Sequence, residues 1–389
     1  MSGSRQNLQA GMELPGGTGT EHSSGDSRTA AQWPDCHRQY PRGFRKETGM
    51  KITYIAPFSP GCTGRMRGEC LLRNFPSAEF TVIDTAVPLQ DTSRLWRSIG
   101  WRFQVGPMIS GLNEYIRRRI PAKTQELIWV DKAVFLTPEL TRLLRDRAKL
   151  LVHYTPDMAF CANRSALFYR SAHYYDYLIT TKTCEANDYR RLVDAGKTQI
   201  IMTTQGFQAQ LHRPVVPFER KKGVVFIGLH EPSRELVLDR LLAGGVPLLL
   251  AGVGWESFVR RHRLPHLDYR GRSLFGDSYV EAVSGGMFAW GALSKRFPER
   301  HTTRTFEIPA CGTALITERN EEISVFFGEK EAIFYSSVGE MIEKIFYYQA
   351  HPDELRQLTV RGNAAVHARA LDYDSIISGL LRSMGVEKC

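Results

Sequence analysis

From Met50 onward, short apolar runs alternate with helix-like stretches, and the alternation happens twice. The first series of strand-like runs is Lys51–Ala56, Phe80–Asp84, Glu126–Val130, Leu150–Tyr154, Asp176–Thr180 and Thr198–Met202. Helical patterns such as Arg65–Phe75, Thr137–Arg147 and Cys184–Val193 separate them. A polar stretch with Gly206, Pro214 and Pro217 interrupts the pattern. It then resumes with Val224–Ile227, Pro247–Ala251, Leu267–Tyr269, Thr313–Thr317 and Ala332–Tyr335 as strands, and Ser233–Leu242, Gly276–Val283, Thr303–Cys311 and Val338–Ala350 as helices. Short apolar strands separated by helices pair in parallel and bury both sheet faces. The expected fold class is therefore α/β: two tandem Rossmann-like α/β/α domains facing a cleft, with a helical carboxy-terminal tail. In such sheets ligands lie beyond the carboxyl ends of the strands.

The boundaries that follow are a disordered extension over 1–49, rich in Gly, Ser and Thr, and an acceptor-side domain over 50–205. A linker over 206–222, a second domain over 223–370 and a last helix over 371–389 complete the chain. Met50 directly precedes the first strand, so translation starting there is an expectation. The seven cysteines are scattered without a C-x-x-C pair, which argues against zinc ribbons and for free thiols in a reducing, cytoplasmic setting. No run of about 18 apolar residues is present. A net charge of +10 suits phosphate-bearing ligands, anionic lipid or nucleic acid, and equally a basic surface with no single partner.

The stretch Arg304-Thr305-Phe306-Glu307-Ile308-Pro309-Ala310-Cys311-Gly312 carries the most chemistry. Arg304 and Glu307 sit in the first turns of a helix that starts near Thr303. A helix start beside a cation can hold an anion, and a carboxylate one turn on can hold sugar hydroxyls. A structural ion pair fits the same three-residue spacing. Gly312 reads as a left-handed helix stop, and Cys311 as a small core residue. Gly228 ends a strand and Arg234 opens the next helix, an arrangement suited to phosphate. Gly252 and Gly271 follow the next two strands, where close backbone approach or plain loop economy would place glycine. Ser59 to Arg65 is not a G-x-G-x-x-G loop, which disfavours a dinucleotide cofactor; it can line the cleft from the opposite side. His153 and Asp157, at the end of a strand of the first domain, are the candidates for an acid or base, with a core histidine and a capping aspartate as the plainer readings. Arg117–Arg119, with Trp96, Arg97, Trp101 and Arg102 nearby, make a basic-aromatic run. It fits a membrane surface, nucleic acid or a solvated helix face.

Phe226 to Arg234, Gly252 to Trp255 and above all Arg304 to Thr317 resemble the CgeB-type, spore-maturation-like branch of the GT-B glycosyltransferases. Leu211-His212-Arg213-Pro214 is similar to that group's linker, and Glu340 to Val366 to its helical tail. The resemblance implies a GT-B fold with the nucleotide-sugar held mainly by the second domain. It implies that Glu307 holds the donor's ribose hydroxyls and that Arg234 meets the diphosphate. It also implies no bound metal and no cofactor beyond the nucleotide-sugar substrate. Glu299 and Glu307 reproduce the related pattern of two glutamates with seven residues between. The segment between them lacks the usual glycine, however, and Leu229 replaces a frequent basic residue, so Glu299 is set aside as a sugar ligand. The expected function is transfer of a hexosyl or related sugar from a nucleoside-diphosphate donor to a glycan, lipid-linked or protein acceptor, in the cytoplasm or at the inner membrane face. A catalytically idle GT-B scaffold in a surface or coat assembly is the alternative, and a nucleic-acid binder ranks behind both.

Overall fold

A computed structural model describes residues 49–194 and 196–386; the expected amino-terminal extension lies outside them apart from Gly49. The first series of elements is β1 (Lys51–Ala56), α1 (Thr63–Asn74), β2 (Glu79–Asp84), α2 (Ala86–Gln90), α3 (Arg94–Phe103), α4 (Pro107–Arg119), β3 (Gln125–Asp131), α5 (Pro138–Asp146), β4 (Ala148–Thr155), α6 (Ala166–Ser171), β5 (Tyr177–Thr180), α7 (Ala186–Leu192) and β6 (Gln199–Met202). Their strands form one parallel sheet in the order β2-β1-β3-β4-β5-β6, with Ile52 opposite Leu127 and Val152 opposite Tyr177. Local chemistry starts and stops the helices. The Thr137 hydroxyl accepts from the Leu140 amide ahead of Pro138, which caps α5, while Gln104 in the left-handed region ends α3.

Alternate strand residues enter two cores, one on each face. Ile55, Ile128, Leu151 and Leu178 join one, and Ile52, Leu127, Trp129, Val152 and Ile179 the other. Burial on both faces is why these strands read as continuous apolar runs.

The second series is β7 (Val224–Ile227), α8 (Pro232–Ala243), β8 (Leu248–Ala251), α9 (Glu256–Arg261), β9 (Leu267–Tyr269), α10 (Gly276–Ser284), β10 (Phe288–Trp290), α11 (Arg304–Ala310), β11 (Ala314–Glu318), α12 (Glu321–Phe326), β12 (Ile333–Tyr335), α13 (Val338–Ala350), α14 (Pro352–Ala368) and α15 (Tyr373–Ser383). The sheet order is β12-β11-β10-β7-β8-β9, all parallel. Strand order therefore reverses between β7 and β10, and in the first sheet between β1 and β3. Each reversal opens a crevice at the carboxyl ends of the strands.

The two α/β domains follow the sequence expectation, with one difference among the strands. The central strand β10 was not anticipated. It is a three-residue run, Phe-Ala-Trp, too short for a period to show. The last helix packs against the first domain. Tyr373, Ile377, Leu380 and Leu381 of α15, with Met384 just after it, fill the core beneath β1, β3 and β4 of the first domain. The chain thus crosses between the domains twice. The crossings meet in a parallel bridge of Phe207 with Asp372, where Tyr373 N–H donates to the Phe207 carbonyl at 2.8 Å.

Candidate functional site

A cavity of about 270 Å3 opens between the two domains at the carboxyl ends of β7 and β8. From the first domain it is lined by Gly61, Thr63 and Met66, in the β1–α1 loop and the start of α1; from the linker, by Leu211 and His212. The second domain contributes the strand ends Ile227–Leu229 and Gly252–Val253, the loop Arg272–Gly276, and Tyr279, Arg304 and Glu307. The β1–α1 loop thus faces the cleft from the opposite side, as its position in the sequence indicated. Gly61 adopts φ +78, and an added Cβ would meet the Phe275 side chain at 2.7 Å, so the domains touch here closely enough to require glycine.

Gly228, Gly252 and Gly271 stack from strand end to strand end. Gly228 N–H donates to the Ala251 carbonyl at 2.9 Å, and Gly252 N–H to the Gly271 carbonyl at 3.0 Å. A Cβ on Gly252, whose φ is +146, would fall 1.8 Å from the Gly228 carbonyl oxygen. That crowding accounts for the glycine at Gly252 without a ligand. Gly228 and Gly252 line the cavity; Gly271 stands just behind the lining residue Arg272.

Glu307 is buried on α11 and does not pair with Arg304. Its Oε2 accepts from the Tyr279 hydroxyl at 2.7 Å, and its Oε1 lies 3.9 Å from His212 Nε2. His212 Nδ1 accepts from the Gln208 amide at 3.0 Å, which places the ring proton on Nε2, towards Glu307. Burial lowers the His212 pKa against the opposing pull of Glu307, keeping the ring neutral. Burial, and then Glu307, push the Tyr279 phenol upward, so it stays a donor. The carboxylate is fixed on one side by Tyr279 and keeps acceptor capacity towards the cavity.

Two guanidinium groups sit nearby, Arg304 lining the cavity and Arg234 outside its lining. Arg234 is buried on α8; it donates to the Leu229 carbonyl at 2.9 Å and pairs with Glu231 at 3.0 Å. Arg304 has no ion pair among the described residues. The Nε atoms of both are buried and unpartnered. Burial and then the charge of Arg304 lower the Arg234 pKa, against the pull of Glu231 and Glu299. An anion at this point would supply the missing acceptors and relieve the repulsion. Glu299 instead bridges the domains, 3.4 Å from Lys182 Nζ, with Ser294 N–H on its other oxygen.

The remaining sequence candidates are placed elsewhere. Thr303 precedes α11 and makes no side-chain cap. Gly312 ends α11 with φ +68, where a Cβ would strike Pro214, so its role is in packing. Cys311 is buried in the core beside it. His153 does not face the cleft. It is fully buried on β4 against the rings of Phe168 and Tyr175, at 4.6 and 5.1 Å, with both ring nitrogens unpartnered and its pKa lowered by burial to about 4. Asp157 is half-exposed, pairs with Lys132 at 3.3 Å and does not line the cavity. Sequence reasoning missed Tyr279 and the loop before it, and took His212 only as part of the linker.

Residues 233–381 match the model of a family described as glycosyl transferase-like. No curated protein sequence matches the chain. Among solved structures, a sucrose-phosphate synthase from Thermosynechococcus elongatus is similar with a TM-score of 0.62 at 16% identity, over 86% of this chain and 99% of that one. HepE of Anabaena, in complex with UDP and glucose, gives 0.57 at 14% identity over 86% and 99%. A trehalose-6-phosphate synthase gives 0.58 at 10% identity over 86% and 98%. The two-domain α/β architecture is that of the GT-B glycosyltransferases.

Proposed function

We infer that this chain transfers a sugar from a nucleoside-diphosphate donor held in the cavity between the domains, beyond the ends of β7 and β8. The observation that carries this reading is a pair of arginines with orphaned Nε atoms, the buried Arg234 on α8 and the half-buried Arg304 on α11, the latter one helical turn from a carboxylate oriented by Tyr279. The arginines meet the diphosphate and stabilise the charge that develops as it departs, which gives electrostatic catalysis without a metal. Glu307 holds donor hydroxyls. HepE, bound to UDP-glucose in one of its solved complexes, is a precedent on this fold for such a donor. Placement in the CgeB-type branch rests on the motifs around Arg304–Gly312. An acceptor carried on lipid at the inner membrane face suits the basic, aromatic surface of the first domain.

One observation favours the idle-scaffold alternative: neither His153 nor Asp157 reaches the cavity, so no acceptor-side base is identified. A thermal-shift screen with UDP-, GDP-, TDP- and CMP-sugars, followed by calorimetry, separates the readings. One donor class is expected to raise the melting temperature and to be turned over with EDTA present. Glu307→Gln is expected to weaken its binding about tenfold or more. Unchanged affinity in that variant removes the Glu307 assignment, and donor binding with no hydrolysis or transfer supports the scaffold.

A further inference from the structure

Helix α3 is an anomaly in this fold. Of its ten residues only Gly100 is buried, yet the helix and the turn after it carry five large apolar side chains. Leu95 is 67% exposed, Phe103 64%, Trp101 56%, Val105 56% and Trp96 41%. Leu95, Ile99 and Phe103 recur every fourth residue and Trp96 lies seven before Phe103, so these four share one helix face. Single exposed apolar residues are ordinary on a protein surface; Leu95, Trp96 and Phe103 exposed on one face, with the half-buried Ile99 between them, form a patch that calls for an occupant.

The charge around the patch is strongly one-sided. Residues 94–119 hold six arginines, Arg94, Arg97, Arg102 and Arg117–Arg119, against a single carboxylate, Glu114. Glu114 is taken up by Arg117 and Arg118 at 3.6 and 2.7 Å. Arg94, Arg97 and Arg102 have no ion pair among the described residues. The segment therefore carries half of the chain's net charge of +10.

The helix is also held in place. The Trp101 ring packs edge-on against Phe135 at 4.9 Å. The Gln104 side chain donates to the Arg164 carbonyl at 2.8 Å and accepts from the Leu167 amide at 3.3 Å. Phe135 and Arg164 belong to the segments that follow the carboxyl ends of β3 and β4, so α3 is anchored on the rim of the first domain where the cleft opens.

We propose that α3 and the turn to Val105 dock the first domain on an anionic bilayer surface. Leu95, Ile99, Phe103 and Trp96 enter the headgroup–acyl boundary, and Arg94, Arg97 and Arg102 lie among the lipid phosphates. This combination of aliphatic, aromatic and guanidinium groups on one short amphipathic helix is the chemistry of the membrane interface. A second copy of the chain fits worse, because a two-fold contact would bring the arginine clusters together. Nucleic acid would use the arginines and leave Leu95 and Val105 exposed. The proposal stands whether or not the cleft binds a nucleotide-sugar, since vesicle binding is measured with no donor present.

The test is co-sedimentation of the full chain with phosphatidylcholine vesicles, with and without phosphatidylglycerol. Binding is expected only with phosphatidylglycerol, and is expected to weaken as salt is raised. L95S/F103S is expected to lower vesicle affinity at least about tenfold, and R94Q/R97Q/R102Q about a hundredfold. Both variants should keep the wild-type melting curve, because the altered side chains are exposed. Four outcomes overturn the proposal: equal binding to neutral and anionic vesicles; no binding to either; unchanged affinity in L95S/F103S; or a concentration-dependent dimer that this variant abolishes. Tighter retention of nucleic acid than of vesicles, lost only in the arginine variant, overturns it as well.

Discussion

In the first domain, the cation beside the point where strand order reverses is Arg67, on α1 after β1. It is locked to Asp131 at the end of β3 by two hydrogen bonds of 2.7 and 2.8 Å. The Tyr54 hydroxyl completes the set at 2.9 Å from Asp131, and the Tyr154 ring lies 4.8 Å from the guanidinium. Burial opposes the Arg67 charge, but Asp131 outweighs it and raises the pKa. In the second domain the corresponding crevice holds Arg234 and Arg304, one partly paired and one unpaired, each with a buried nitrogen lacking an acceptor. The two sheets share a parallel scaffold and a crevice, and they differ in whether the cation there is already neutralised. The filled crevice is architecture, and the unfilled one is where a ligand has work to do.

Three substitutions would break or sharpen that contrast. Arg67→Ala leaves Asp131 buried and unpaired, and is expected to cost about 3–5 kcal/mol in urea unfolding. A near-neutral result would mean that the pair does not hold the first domain. Arg304→Gln should leave unfolding almost unchanged while lowering nucleoside-diphosphate affinity tenfold to about a hundredfold, worth roughly 1.5–3 kcal/mol by calorimetry. A stability loss as large as that of Arg67→Ala would erase the distinction between the crevices.

The third effect, absent at neutral pH, concerns His153. Its native pKa is lowered to about 4, while the unfolded ring titrates near 6.5. The unfolded state therefore takes up a proton first, and the contribution of His153 to stability is complete above pH 6.5 and lost as pH falls to about 4. The slope is at most about 1.4 kcal/mol per pH unit. His153→Leu is expected to flatten the acid side of the stability profile; parallel wild-type and variant profiles would show that the ring does not govern it.

Most of the architecture was legible because parallel strands buried on both faces leave continuous apolar runs, as in Lys51–Ala56 and Val224–Ile227. The same property hid the orientation of His153: where both faces are buried, alternation along β4 does not say which residues meet solvent. Arg304, Glu307 and the strand-end glycines could be found because helix spacing and turn chemistry are local. Tyr279 and His212 could not, since they reach Glu307 across 28 and 95 positions of chain. Gly312 carries the signal of a helix stop, and it stands where a helix stop is needed, against Pro214. The short strand β10 left no period to read, although it flanks the crevice.

The return of α15 to the first domain limits how the cleft can open. A pair of domains joined by one strand can swivel and twist about that point like a ball in a socket. Here two strands of chain pass side by side, tied by Phe207 and Asp372, and Asp374 on α15 is clasped by Arg73 on α1 at 2.9 Å. The arrangement resembles a door on two pins: it favours rotation about the line through them and resists torsion across it. Opening then carries Gly61 and Phe275 apart along a single arc, and each closure returns them to the same register.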